Sequence, residues 1–336
     1  MSLELVIAVA LAFAFAITNG IHDASNAIAT LIATRAARPR TALVLAAVFN
    51  VLGPLLVGAA VADAIAGIVT VAASEASQVI GAGLLAAVAW NVLTWRWGLP
   101  ASSGHALVGG LVGAALVAGG VSAVRWGGLD GIHPVGVAGA CIALAVSPPL
   151  GALAAFVCVR GLRRAARRAS RRWRTPVQTA QLATSAALAF SHGANDAQKS
   201  IGVIAALLLA DGRIDDLSAP LWVTLGCAAA LTLGTAAGGW QIVRTVGRRI
   251  YRLHPVDGLA SQASSAAVIF GASLAGAPTS TTQVVVASVV GTGVGRGRKR
   301  HVHWEVVRHM GMAWITTMPA TAAIAAVVFV VWRWVG

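Results

Sequence analysis

Two apolar segments of this chain each contain a carboxylate, and no other feature restricts its fold more strongly. The first, Gly193–Ser200, reads Gly-Ala-Asn-Asp-Ala-Gln-Lys-Ser and lies within the apolar stretch Ala186–Ala210. The second, Gly20–Ala27, reads Gly-Ile-His-Asp-Ala-Ser-Asn-Ala. A carboxylate at membrane depth is costly, and it persists where it is paired, hydrated or functional. Two of them in matching contexts predict two halves built on one plan.

The composition is that of a membrane protein. Of the 336 residues, 57% are hydrophobic and 11% are charged, whereas soluble domains have about 25% charged residues. The mean hydropathy is +0.79, and apolar runs of about 20 residues, which can span a bilayer, recur from end to end. The N-terminal residues lack a basic segment. We therefore expect an all-α polytopic membrane protein without a cleaved signal peptide.

The basic residues lie mainly in loops. Nineteen of the 25 lysines and arginines fall in four segments, at 35–40, 160–174, 244–252 and 296–300. Positive charge collects on the cytoplasmic side of membrane proteins, so we place these loops in the cytoplasm, beside the anionic headgroups of the cytoplasmic membrane. No stacking aromatic residues accompany the arginines, which argues against nucleic-acid binding despite the net charge of +14.

These loops fix the order of crossings. The first half is predicted to cross at 3–33 and 41–62, to have an outer loop at 63–78, and to cross inward at 132–159. Between them, 79–97 and 102–119 are separated by a break at 98–101; they are either two spans or half-penetrating hairpins. The second half follows the same order from the opposite side, at 177–210, 221–243, 259–274, 283–294 and 304–335. The predicted units are repeats 1–160 and 177–336, joined by a basic linker, 161–176, on the membrane surface.

Residues repeat as well as segments. Gly20-x-His-Asp matches Gly193-x-Asn-Asp at an offset of 173 (193 minus 20). Gly98-Leu-Pro-Ala-Ser-Ser matches Gly276-Ala-Pro-Thr-Ser-Thr at an offset of 178 (276 minus 98). Inverted repeats with Gly- and Pro-interrupted helices are typical of secondary transporters, whose site lies at the membrane midplane. We predict two inverted-topology repeats whose broken helices or re-entrant hairpins meet at such a site.

The two breaks predict a place for an oxyanion. Gly and Pro end one helix at each break, and hydroxyl residues begin the next: Ser102 and Ser103 in the first half, Ser280 and Thr281 in the second. A helix N-terminus presents free N–H groups and partial positive charge, which attract an anion without arginine. The alternative is that these hydroxyls only cap membrane helices.

The carboxylates predict a cation or proton site. Asp23 and Asn26 lie on one helix face and offer hard oxygen ligands. Asp196, with Asn195 beside it, repeats this pattern. Lys199 stands at the position that matches Asn26, where it either replaces a bound cation or pairs with Asp196; a purely structural ion pair is the third alternative.

Four further polar residues are candidates for the edge of the site. Gln198 can donate to an anion, and Asn91 can extend the polar region. His22 and His105 are either satisfied polar side chains or proton relays. The three cysteines have no metal-ligand spacing, so we expect no cofactor beyond the coupling cation.

The motifs resemble those of the inorganic phosphate transporter (PiT) family in its bacterial form. The hallmark of that family, Gly-Ala-Asn-Asp-x-x-Asn-Ala, occurs once per half and matches Gly20–Ala27 and His192–Lys199. Trp90-Asn91-x-x-Thr94-Trp95, Gly98-x-Pro-x-Ser-Ser-x-His105 and Pro278-x-Ser-Thr281 match as well. The resemblance extends from Gly20 to about Gly295.

The resemblance implies uptake of phosphate coupled to Na⁺ or H⁺, a scaffold with a moving transport domain, and a homodimer. By matching position, it assigns the coupling cation to Asp23, Asn26 and Asp196, and the oxyanion to Ser102, Ser103, Gln198, Ser280 and Thr281. Three positions depart from the pattern of the family: Gly104 replaces a serine, Gln283 a histidine, and Gln262 a frequent glutamate. Because these departures remove His and Glu, they leave the coupling ion open, and a metal–phosphate complex stays open as the transported species.

Three rival interpretations remain. The first keeps the same fold but takes sulfate or another tetrahedral oxyanion as the substrate. A channel differs only by lacking concentrative uptake, which the sequence does not reveal. An intramembrane protease would use Asp23 and Asp196 as an aspartyl dyad, but neither lies in a Gly-x-Gly-Asp context.

Overall fold

The computed structural model describes residues 2–166, 174–238 and 240–335, and most of them are helical. The first half contains α1 (Leu3–Ala33), α2 (Pro39–Leu56), α3 (Ala60–Ala66), α4 (Ala73–Arg96), α5 (Ser103–Gly119) and α6 (Gly136–Ala166). The second half contains α7 (Arg174–Ala210), α8 (Leu221–Ala237), α9 (Trp240–Arg244), α10 (Pro255–Leu274), α11 (Thr281–Gly295) and α12 (Trp304–Val335). Before α6, β1 (Leu129–Asp130) pairs antiparallel with β2 (His133–Pro134), with Leu129 opposite Pro134.

The helices have the length and composition of membrane spans. Within the described ranges, six are long and apolar enough to cross a bilayer: α1, α2, α4, α5, α6 and α12. Helices α8 and α11 are apolar but shorter, and α7 and α10 carry rows of buried polar side chains. The prediction of a helical, multi-pass membrane protein is therefore confirmed.

Two predicted crossings are divided. In the predicted crossing 41–62, helix α2 ends at Leu56. A separate helix, α3, contains Asp63, and α4 begins at Ala73, so the predicted outer loop 63–78 is partly helical. The segment 221–243 ends as α8 at Ala237 because Gly238 adopts φ +70°, which favours glycine. Helix α9 and a π-helical turn, Thr245–Arg249, follow.

The predicted linker, 161–176, is helical at both ends. Helix α6 extends to Ala166 and α7 begins at Arg174. Residues 167–173 lie outside the described part of the chain, and the place of the linker on the membrane surface stays a prediction.

Helices α4 and α5 form one hairpin, and α10 and α11 form another, with the two predicted breaks at their tips. At the open end of the first hairpin, Val69 bridges to Val124. At the open end of the second, Arg296 Nη1 lies 2.6 Å from Asp257 Oδ2. The tips meet, since Gln283 Nε2 lies 3.4 Å from His105 Nδ1.

Two apolar clusters flank a polar layer. One includes α1 as far as Phe15 and the part of α7 that begins at Ala197. The other includes α1 from Ile28 onward and Leu188 of α7. Helix α1 therefore runs from the first cluster to the second, while α7 runs in the opposite direction. The two charged motifs lie between the clusters.

The halves pack with exchanged partners. Helix α2 packs on α7 as α8 packs on α1, and α5 packs on α12 as α11 packs on α6. Glycines bring the backbones of all four helix pairs into contact. A Cβ at Gly193 would lie 2.2 Å from the carbonyl oxygen of Asn50, and one at Gly20 would lie 2.1 Å from that of Leu231. Small residues permit this close helix approach in membranes.

We expect Gly193→Ala to lower the thermal unfolding temperature in detergent, because the new methyl group overlaps the backbone of α2. Forcing extra atoms into a packed interior costs about 1–3 kcal/mol. Gly271→Ala is the matched control, since a Cβ at Gly271 meets open space and gains up to ~1 kcal/mol of helix propensity. Equal unfolding temperatures would show that α2 and α7 separate without cost.

Candidate functional site

The charged motifs lie on unbroken helices in the polar layer. Asp23 is on α1, and Asp196 and Lys199 are on α7. Each of these side chains is at most 2% exposed. Charges so deeply buried require partners. Asp23 finds them in the second half, whereas Asp196 and Lys199 pair with each other.

Asp23 is held by the start of α11. The Thr282 hydroxyl donates to Asp23 Oδ1, and the Thr281 hydroxyl donates to Oδ2 at 3.3 Å. Asn26 Nδ2 donates to Asp23 Oδ1 at 2.8 Å and lies 3.3 Å from both threonine hydroxyls. The structure thus brings together Asp23, Asn26 and Thr281 from the predicted set, and it adds Thr282.

Asp196 is held by a lysine. Lys199 Nζ lies 2.5 Å from Asp196 Oδ1 and donates to the carbonyl oxygen of Thr279 at 2.7 Å. The ammonium thus joins α7 to the residues just before α11. Of the alternatives left open by the sequence, the contact between Lys199 and Asp196 is present.

Asn195, which the sequence places at the cation site, binds the turn between α10 and α11 in the structure. Its amide donates to Ser273 Oγ at 3.1 Å and to the carbonyl oxygen of Ala277 at 3.3 Å, and it accepts from the Thr279 N–H at 3.2 Å. These bonds hold the turn between α10 and α11. Asn195 therefore positions the hairpin tip and has no contact of its own with the carboxylates in the described structure.

His192 connects the two carboxylates. Its Nε2 lies 3.6 Å from Asp23 Oδ2 and 3.5 Å from Asp196 Oδ2. Its Nδ1 lies 3.0 Å from Asn50 Oδ1, and Asn50 Nδ2 donates to Thr235 at 3.2 Å. An amide oxygen only accepts, so Nδ1 carries a proton and Nε2 faces the carboxylates.

The three residues Asp23, His192 and Asp196 could hold a cation, because their ligand atoms lie within 4.8 Å of one another. The sequence analysis did not single out His192 or Asn50. The available signal was spacing: His192 precedes Asp196 by four residues, which places both side chains on one helix face. No such signal exists for Asn50, because it belongs to another helix.

The predicted anion sites are the first turns of α5 and α11. The Ser102 hydroxyl accepts from the His105 N–H at 3.2 Å, and the Ser280 hydroxyl accepts from the Gln283 N–H at 3.4 Å. Both serines therefore cap their helices, and Ser103 donates to Asn19 at 2.6 Å. Two positive helix ends meet here, an arrangement that an anion between them would stabilise.

Gln198 is engaged elsewhere. Its Oε1 accepts from the N–H groups of Val61 and Ala62, and its Nε2 donates to the carbonyl oxygen of Gly58 at 2.5 Å. Gln198 thus binds the start of α3, which explains why that short helix forms. The predicted contact of Gln198 with an anion stays a prediction.

Three further predicted residues, His22, Asn91 and Gln262, make hydrogen bonds that join helices. His22 Nε2 lies 2.8 Å from the carbonyl oxygen of Asn91, and Asn91 Nδ2 donates to Thr18 at 3.3 Å, so these residues join α1 to α4. Gln262 donates to Thr30 at 2.6 Å. Thr30 lies seven residues beyond Asp23, or about 10 Å along the helix. Gln262 therefore lies outside the carboxylate cluster.

Comparison with known proteins finds relatives that match nearly the whole chain. The model of the phosphate transporter family matches residues 19–177 and 162–325. A probable low-affinity inorganic phosphate transporter of Rhizobium meliloti (strain 1021) is 38% identical over 340 residues, which cover 96% of this chain and 94% of that protein. One of Bacillus subtilis (strain 168) is 37% identical over 328 residues, with coverage of 97% and 95%.

A solved structure has the same architecture. It is described as the sodium-dependent phosphate transporter, and it is similar to this chain with a TM-score of 0.87. The sequence identity is 26%, and the match covers 100% of both chains.

We expect Gln198→Ala to destabilise the protein by about 1–3 kcal/mol, because two buried N–H groups at the start of α3 and the carbonyl of Gly58 lose their partner. The measurement is thermal unfolding in detergent. Gln78→Ala is the control, since Gln78 makes one part-buried bond, to Glu4, and should stay within about 0.5 kcal/mol. If both variants unfold alike, Gln198 does not hold α3.

Proposed function

This chain belongs to the phosphate transporter family, and on that premise we propose that it imports inorganic phosphate together with Na⁺ or H⁺. The PiT resemblance seen in the sequence is confirmed, and the protein is a phosphate transporter, not an enzyme. The observation that carries the coupling proposal is that Asp23 accepts hydrogen bonds from Thr281 and Thr282. A candidate cation ligand is thus in contact with a candidate anion site.

The proposed cation site is centred on Asp23. Its carboxylate, the Asn26 amide and the Thr281 and Thr282 hydroxyls offer the oxygen ligands that hard cations take. Asp196 lies on the far side of His192. The solved structure similar to this chain is that of a sodium-dependent transporter, which supports Na⁺; the Asp–His–Asp contacts are compatible with a proton.

The proposed anion site lies between the first turns of α5 and α11. The free N–H groups there and the hydroxyls of Ser103 and Thr281 would face the phosphate, while Ser102 and Ser280 hold the helix ends in place. Phosphate binding at helix N-termini needs no arginine. Lys199, whose Nζ would lie 3.4 Å from a Cβ at Gly104, adds positive charge beside α5.

Cation and anion would support each other in this arrangement. An unneutralised Asp23 repels a phosphate at the start of α11, since charges interact strongly where water is excluded. A cation on Asp23 removes the repulsion, and the phosphate in turn stabilises the cation. Mutual stabilisation makes uptake of one depend on the other.

Several features support two inverted repeats that meet at the membrane midplane. Helices α1 and α7 run in opposite directions between the apolar clusters, and α2/α8 and α5/α11 have exchanged partners. His105 and Gln283, which match at the offset of 178, contact each other. Equivalent residues touch when they lie near a twofold axis, so the axis would pass between the hairpin tips.

We further propose that the protein lies in the cytoplasmic membrane with its four basic loops inside, as positive-inside orientation requires. The large apolar outer faces of α6 and α12 leave room for a homodimer contact. The transported species could also be a metal–phosphate complex. The ligand atoms of Asp23, His192 and Asp196, which lie within 4.8 Å of one another, could hold its metal ion.

We expect Asp23→Asn to abolish concentrative phosphate uptake into proteoliposomes, because the variant lacks the charge that attracts the coupling cation. Uptake is measured with sodium and proton gradients imposed separately, which also identifies the coupling ion. Asp211→Asn is the control, since Asp211 pairs with Arg213 at the protein surface. If the Asp23 variant still accumulates phosphate against a gradient, the cation site is disproved. If neither gradient drives accumulation in the unaltered protein, the result favours a channel.

Competition tests the identity of the anion. We expect unlabelled phosphate to suppress the uptake of labelled phosphate at far lower concentration than sulfate does, since Ser103 and Thr281 hydroxyls can also accept hydrogen bonds from a protonated phosphate. The reverse order would assign the transporter to sulfate.

A further inference from the structure

We propose that Lys199 is a built-in counter-ion whose ammonium group occupies the cation position of the second half, so that the transporter takes up a coupling cation at Asp23 and none at Asp196. This inference rests on the proposed function and assigns a specificity role to one residue. It also accounts for a difference between the halves that the motif match leaves unexplained.

Lys199 has the same place in its half as Asn26 in the other. The two residues match at the offset of 173 (199 minus 26), and each contacts the aspartate three residues earlier. Asn26 reaches Thr282 at the start of α11. Lys199 Nζ reaches the start of α5, where a Cβ at Gly104 would lie 3.4 Å away. Gly104 and Thr282 match at the offset of 178.

The ammonium has the surroundings of a bound metal cation. Lys199 is 1% exposed. Its Nζ contacts one carboxylate oxygen, of Asp196 at 2.5 Å, and one carbonyl oxygen, of Thr279 at 2.7 Å. Carboxylate and backbone carbonyl oxygens are the ligands that hard cations take in proteins. A cation from solution could bind Asp196 only by displacing the ammonium group of Lys199.

The formal charges differ between the halves. In the second half, Asp196 and Lys199 sum to zero, whereas Asp23 has the uncharged partners Asn26, Thr281 and Thr282. His192 Nε2, which lies 3.6 Å from Asp23 and 3.5 Å from Asp196, is shared by the two carboxylates. An uncompensated buried carboxylate is costly. The first half has no lysine at this position and therefore takes its positive charge from His192 or from a cation in solution, whereas the second half has Lys199.

Gly104 makes room for this arrangement. The matching position, Thr282, donates its hydroxyl to Asp23, but any side chain at Gly104 would add atoms beside Lys199 Nζ. Asp196 Oδ2 lies 3.5 Å from His192 Nε2 and accepts no hydrogen bond within the part of the chain that the structure describes. Replacing Lys199 by Asn and Gly104 by Ser would therefore reproduce in the second half the ligand types found around Asp23.

The experiment measures sodium-dependent thermal unfolding in detergent, with choline as the reference cation. For the Asp23→Asn variant with Lys199 unchanged, we expect the unfolding temperature to be the same in sodium and in choline. Adding Lys199→Asn and Gly104→Ser should produce a rise in unfolding temperature with sodium concentration, as mass action requires for a ligand of the folded state. The matched control is Lys299→Asn in the same background, because Lys299 is the other lysine of the chain and is exposed.

Two outcomes would overturn the proposal. One is sodium stabilisation of the Asp23→Asn protein with Lys199 intact, a measurement that needs no variant at Lys199. The other is a folded triple variant that sodium does not stabilise. In proteoliposomes with Asp23 intact, Lys199→Asn with Gly104→Ser should raise the Hill coefficient for sodium by about one. If the unaltered protein carries no phosphate, the proposed function fails, while the unfolding measurements still decide the role of Lys199.

Discussion

The bonds from Thr281 and Thr282 to Asp23 are the contact on which the site depends. They join a carboxylate on α1 to the start of α11, and these segments are separated by more than 250 residues of sequence. A buried carboxylate without such donors would be strongly destabilising. Asp23 therefore fixes the first turn of α11 against α1, and the contact between His105 and Gln283 joins that turn to the first turn of α5.

The charged layer also explains how the apolar parts are arranged. Two apolar clusters, each with residues from both halves, enclose the layer from either side. Exclusion of water strengthens every electrostatic contact within it, so the ion pair of Asp196 and Lys199 and the His192 contacts act with little screening. The same exclusion makes an unfilled cation or anion position costly, which is the physical basis for coupling between two solutes.

Much of this could be predicted from the sequence because it is encoded locally. Apolar runs gave the long helices, and the Gly-Pro breaks gave the hairpin tips with Ser102 and Ser280 as helix caps. Contacts between distant segments were not predictable. The sequence neighbours of Gln198 and Asn195 predict roles in the site, and nothing in them indicates that their amides bind the backbones of α3 and the α10–α11 turn. His192 has its role only because α1 and α2 lie beside it.

The glycine contacts have a mechanical consequence. Where Gly193 touches the backbone of α2 and Gly20 that of α8, no side chain lies between the helices to change rotamer and absorb a displacement. Sliding or tilting within either pair would drive main-chain atoms into one another, so each pair behaves as a rigid strut. Because Asp23 and Asp196 are mounted on these struts, each pair would move as a unit. The hairpins have backbone contacts as well, since a Cβ at Gly113 of α5 would lie 2.1 Å from the carbonyl oxygen of Ala322 of α12, and one at Gly291 of α11 would lie 2.1 Å from that of Ala152 of α6. Access from one side of the membrane or the other therefore has to come from movement between such pairs and not within them.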